Sequence, residues 1–207
     1  MRRARGSGRS TTSAAVACSL LLAGGGAAVV VVAARLSFAL PGIDLPQTGQ
    51  TLAVLVVGAA LGLRRGTLAI ALYILSGALG LPVFADGASG VDTILGPSGG
   101  YLLGFLVAAA FLGWRADEGK VRRTWWATLG SMLAAHALIL GLGAAGLVIR
   151  VGVAKAWLGG VVPFLPGAVV KSALAALLVR WIGAHPVWGS TSKVASSSSA
   201  CSRTRQR

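Results

Sequence analysis

The side chains in this sequence that could engage a small molecule gather in three Gly- and Pro-bearing segments. The first, LPGIDLPQTGQ, ends in Gln47 and Gln50. The second, PVFADGASGVDTILGPSGGY, carries Phe84, Asp86, Asp92 and Tyr101. The third, VVPFLPG, carries Phe164 and is followed by Lys171. Amide, carboxylate and ammonium groups among aromatic rings suit reversible binding by hydrogen bonds and ion pairing. Glycine and proline hold such loops in tight conformations that bring backbone N–H and C=O groups near a ligand. Phe84, Tyr101 and Phe164 as walls, with Gln50 and Lys171 as polar fixtures, would line a small-molecule pocket. Two readings of Lys171 stand side by side: an ammonium near a membrane interface can snorkel to headgroups, or it can pair with a ligand.

Bond-making chemistry has no such support. HExxH, GxSxG and Walker-type motifs are absent, and no carboxylates pair within an apolar segment. The acids are Asp44, Asp86, Asp92, Asp117 and Glu118, all in loops. His136 stands alone in an apolar stretch and reads as a hydrogen-bonded packing histidine. No catalytic residue, metal site or cofactor is expected, and ATP hydrolysis would need a partner. Cys18 and Cys201 suggest neither a disulfide nor a metal.

The elements that must position these residues follow from composition. Hydrophobic residues make up 55% of the 207, charged residues only 12%, and there are 30 glycines. Mean hydropathy is +0.78. A soluble domain has about 25% charged residues, so too few polar side chains are available to cover a water-facing surface. The expectation is an all-α membrane protein.

Residues 1–13 read as a disordered basic arm and 185–207 as a Ser-rich cytoplasmic tail. Between them, 14–184 divides into six spans: Ala14–Ala34, Thr51–Leu63, Thr67–Leu81, Gly99–Trp114, Trp125–Ile149 and Gly167–Gly183. The first is preceded by basic residues, as in a signal peptide. Its 21 charge-free residues exceed the usual signal core of about 7–15, and a retained helix is expected. The second, at 13 residues, would reach only about 20 Å as a helix, short of a hydrocarbon core of about 30 Å. The irregular segment before it therefore reads as a candidate cavity lining at membrane depth. Arg64-Arg65-Gly66 is expected as a tight turn, and Arg150–Pro166 as a loop. On helix one, Ala23/Ala27 and Gly24/Ala28 recur at four-residue spacing, which suits close packing within the chain or docking of a partner.

A net charge of +14 would invite a nucleic-acid reading on a soluble chain. With the N-terminus inside, however, 15 of the 19 basic residues fall on the cytoplasmic side. That bias is the positive-inside rule, with lipid headgroups as partners and both termini cytoplasmic. No nucleic-acid partner is expected, since no aromatic-basic module accompanies the charge. Trp114, Trp125, Trp126 and Trp181 read as an interfacial belt; Trp157 could anchor likewise or line the site.

The strings themselves carry a resemblance. GALGLPVFA (Gly77–Ala85), GPSGGYLLGF (Gly96–Phe105) and VPFLPG (Val162–Gly167) with Lys171 closely resemble the BioY family, and Gln50-Thr51-Leu52 matches its QTL element. The resemblance covers roughly residues 40–184. It implies a six-helix S-component fold of an energy-coupling-factor (ECF) transporter, with an outward-facing biotin site. It also implies a transmembrane T component and two ABC-type ATPases as partners, in the plasma membrane. Lys171 matches a family lysine associated with the ligand, and its charge suits the biotin carboxylate. Ala168 stands where the family usually has an Asp; Gln50 or Asp86 would then accept from the ureido N–H groups, or biotin would bind more weakly, or the substrate would be a relative. An S component for another vitamin or precursor, a membrane scaffold or sensor, and a membrane-embedded enzyme are the alternatives.

Overall fold

A computed structural model describes residues 8–38 and 47–184. Its architecture is a bundle of six membrane helices. α1 spans Gly8–Arg35, so the chain is helical six residues before the expected start of the first span. A two-residue antiparallel ladder pairs Ser37–Phe38 with Gln47–Thr48. Gly49 N–H then donates to Leu36 O at 2.7 Å and leads the chain into α2, Gln50–Ala78.

α2 is long enough to cross a membrane once, but it folds back on itself. Gly62 has φ 79° and ψ 178°, a conformation open to glycine and closed to most side chains. Gly66 lies so close to Gly58 that a Cβ on it would sit 3.0 Å from the Gly58 Cα. Residues eight apart in a straight helix are about 12 Å apart. Gln50 likewise hydrogen-bonds Tyr73, across what would be about 35 Å of straight helix. Residues 50–61 and 63–78 are therefore two antiparallel arms, the second and third membrane helices. The turn is at Gly62 and not at Arg64-Arg65-Gly66, which is already helical. The reversal needs a positive φ, whereas arginines can stay helical and extend toward headgroups.

The 82–98 segment folds into a 3-10 turn at Ala85–Gly87 and α3, Val91–Leu95. α4 spans Gly99–Asp117 and α5 spans Trp125–Val151. The expected loop at 150–166 is a second correction. Gly152, at φ 81°, ends α5; α6, Val153–Gly160, begins at once, and a 3-10 turn at Val162–Phe164 leads into α7, Leu165–Ala184. Gly and Pro punctuate this stretch without preventing helix between them.

Lipid is as apolar as leucine, so close approach and not hydrophobic burial holds such helices together. α4 is the central post. A Cβ on Gly104 would meet the Ile139 Cα of α5 at 2.8 Å, and one on Gly58 would meet the Ala109 Cα at 2.8 Å. α1 lies on the α2 hairpin through Ala23, Gly26 and Val30. The two small-residue pairs on α1 thus part ways: Ala23 and Ala27 turn inward, Gly24 and Ala28 outward.

Polar groups close the end of the bundle where α2 reverses. Leu63 N–H donates to Asp117 Oδ2 at 3.1 Å, capping the second arm of α2 from the end of α4. Arg65 reaches Ser19 on α1, and Arg115 reaches Ser131 on α5. Thr124 caps α5 by accepting from Ala127 N–H.

Candidate functional site

The other end of the bundle holds a cavity of about 300 Å³. Each element contributes for a local reason. Gln50 opens α2, directly after the 47–48 strand, so its side chain is buried at the cavity mouth. Its Nε2 donates to Tyr73 Oη on the opposing arm. With the amide N–H group so committed, Oε1 is left to the cavity as an acceptor.

Phe84 enters from the 82–88 turn. Its ring packs against Gly77, where a Cβ would overlap it, and meets Tyr73 edge to face at 5.5 Å. Glycine at 77 is thus what lets the ring turn inward. Arg35, at the end of α1, donates to Pro82 O and ties this turn to the first helix. Two residues beyond Phe84, Asp86 lines the cavity with φ 55°, the one non-glycine residue in that region among those described. Its carboxylate has no protein partner among the described residues. Backbone strain of this kind costs on the order of 1–3 kcal/mol and gathers at functional sites.

Tyr101 projects from the first turn of α4 and donates to Gly160 O at 2.6 Å, joining α4 to the end of α6. Its ring fits against Gly143 of α5 and faces Phe164 at 6.4 Å between centroids. Phe164 lies in the 3-10 turn that feeds α7. Ala168 and Lys171 then follow at three-residue spacing on one helix face, and both line the cavity. Lys171 is only 4% exposed, so its ammonium lies inside the protein and does not snorkel to headgroups.

The six residues singled out from sequence, Gln50, Phe84, Asp86, Tyr101, Phe164 and Lys171, all line this one cavity. Trp157 does not; it is 56% exposed on α6, as an interfacial anchor would be. Thr48, Thr51, Thr93 and Ser98 complete the polar wall and were not expected. His136 is hydrogen-bonded as foreseen, to Ser172 at 2.8 Å, but it also lines the cavity. His136, Ile139 and Leu140 share one face of α5, an i, i+3, i+4 pattern that could have marked the histidine as a wall residue.

The arrangement is an aromatic and aliphatic slot with a buried cation and several acceptors. It can hold and orient a small, mostly apolar molecule bearing an acid and an N–H-rich head. About 300 Å³ is at the small end of ligand pockets.

Comparison with known proteins agrees with this picture. A 2.1 Å crystal structure of the S-component for biotin from an ECF-type ABC transporter superposes with a TM-score of 0.72. It is 23% identical and covers 82% of this chain and 92% of its own. The bundle thus has the S-component fold. The biotin transporter BioY of Thermotoga maritima is 39% identical over 141 residues, 68% of this chain and 82% of its own length. The probable biotin transporter BioY of Pyrococcus horikoshii is 38% identical over 136 residues, 66% of this chain and 79% of its own. The biotin transporter BioY of Rhizobium etli is 32% identical over 146 residues, 67% of this chain and 78% of its own. The BioY family model matches residues 7–187, and this multi-pass membrane protein belongs to the BioY family.

Proposed function

We propose that this chain is the biotin-binding S component of an ECF-type ABC transporter in the plasma membrane. The observation that carries the reading is the convergence of Gln50, Phe84, Asp86, Tyr101, Phe164 and Lys171 on one cavity. Lys171 meets the biotin carboxylate. Gln50 Oε1 and the Asp86 carboxylate accept from the ureido N–H groups, and the aromatic rings hold the fused bicycle and its aliphatic tail. The positive-inside bias of the basic residues supports cytoplasmic termini, and with them a cavity that opens outward.

The chain binds; it does not hydrolyse. Transport therefore takes a transmembrane T component and two ABC-type ATPases, with lipid headgroups around the basic end. Calorimetric titration of the purified protein with biotin tests the reading. Saturable binding at micromolar ligand or below supports it; no heat at micromolar ligand refutes it. Uptake of labelled biotin should further require co-expression of the T component and ATPases, whereas a scaffold would support none in either case.

A second reading, a biotin relative or precursor as substrate, draws on Ala168. Its methyl lines the cavity where the resemblance leads one to expect a carboxylate. Competition by dethiobiotin and other vitamins separates the two.

A further inference from the structure

The histidine at the cavity wall is held in a particular state. Polar groups at membrane depth are costly, and each calls for an account. Ser172 is fully buried, and among the described residues its hydroxyl has one hydrogen-bond partner, His136 Nδ1 at 2.8 Å. Other buried hydroxyls behave differently: Thr51 Oγ1 and Thr67 Oγ1 have no partner among the described residues. Ser76, Thr93, Thr128 and Ser131 each donate to the carbonyl four residues back in their own helix or turn, at 2.5–2.9 Å. Ser172 makes no such bond.

The network assigns the tautomer. If Nδ1–H donated to Ser172, the hydroxyl proton would join Thr51 and Thr67 as a further buried donor without an acceptor, at a cost of about 1–3 kcal/mol. With Ser172 donating to Nδ1, both groups are satisfied, and the ring proton is on Nε2. Nε2 has no hydrogen-bond partner among the described residues, and His136 lines the cavity together with Lys171. An N–H donor and an ammonium in the same cavity form a pole for an anion.

We propose that His136 Nε2–H donates to the ligand carboxylate alongside Lys171, and that Ser172 is the positioning residue that holds the imidazole in this tautomer. The assignment rests on the binding reading above and deepens it: His136 sets the preference for an acid over a neutral analogue.

The test is equilibrium binding of biotin and of biotinol, which has a hydroxyl in place of the carboxylate. It uses the purified full chain and its His136→Leu, His136→Gln and Ser172→Ala variants. His136→Leu should weaken biotin about 10- to 100-fold, as expected for a hydrogen bond to a charged group, and change biotinol by no more than about threefold. His136→Gln, which keeps an N–H donor, should recover most of the loss. Ser172→Ala should weaken biotin by roughly three- to tenfold with biotinol again little changed. Equal losses for both ligands would mean that His136 only packs, and would overturn the assignment, as would wild-type biotin affinity in His136→Leu. Should His136→Leu not fold, Ser172→Ala decides: a reduced preference for acid over alcohol supports the proposal, and an unchanged preference overturns it. A wild-type chain that binds no biotin removes the underlying reading as well. A wild-type chain whose acid preference is lost in Lys171→Ala but kept in His136→Leu removes the role of His136 alone.

Discussion

Where α2 reverses at Gly62, three polar side chains close on the protein: Asp117 caps the Leu63 N–H, Arg115 meets Ser131, and Arg65 meets Ser19. At the opposite end, Gln50, Asp86 and His136 line the cavity, and Gln50 Oε1, the Asp86 carboxylate and His136 Nε2 have no hydrogen-bond partner among the described residues. The same few polar residue types thus do different work at the two ends. One end ties α1, α2, α4 and α5 to one another; the other holds its groups in place and leaves their bonding capacity for a guest. In a membrane this separation matters, because an unmatched polar group has no water to turn to.

The contrast can be broken from either side. The largest effect is expected at Gly104, where a Cβ would lie 2.8 Å from the Ile139 backbone. Gly104→Leu should separate α4 from α5 and lower stability by about 1–3 kcal/mol or more. Biotin binding should fall with it, since these helices carry Tyr101 and His136. Thermal unfolding in detergent with and without biotin reports both. Asp117→Ala comes next. Loss of this cap should cost on the order of 0.5–2 kcal/mol of stability with biotin affinity retained, because it belongs to the closed end. A weakened affinity in a variant that stays folded would mean that the two ends are coupled. The smallest effect is expected for Trp157→Ala, which should leave the dissociation constant within about twofold in calorimetry, since an exposed anchor contributes nothing to the cavity.

Much of this was legible in the sequence because membrane helices announce themselves by the absence of charge. Phe84, Tyr101, Phe164 and Lys171 could be grouped because alternate connections of a six-span chain fall on one side. Other features needed three dimensions. The pair Arg64-Arg65 looked like the turn because charges commonly sit outside membrane helices, yet Gly62 alone adopts the required positive φ. The stretch before Lys171 looked like a loop because of Gly152, Gly159, Gly160 and Pro163, yet Gly152 and Pro163 flank α6 and Gly159 and Gly160 are its last two residues. The His136–Ser172 pair spans 36 residues and two helices, and no local pattern forecasts which hydroxyl meets an isolated histidine.

The central claim is that the buried ammonium of Lys171 receives the acid of the ligand. It is tested most directly by measuring the affinities of biotin and biotin amide for the wild-type chain and for Lys171→Ala. Removing a charge-assisted contact should cost about 1.5–3 kcal/mol, roughly 10- to 150-fold in the dissociation constant, for biotin, and far less for the amide. Equal losses for the two ligands, or none for biotin, would contradict the account.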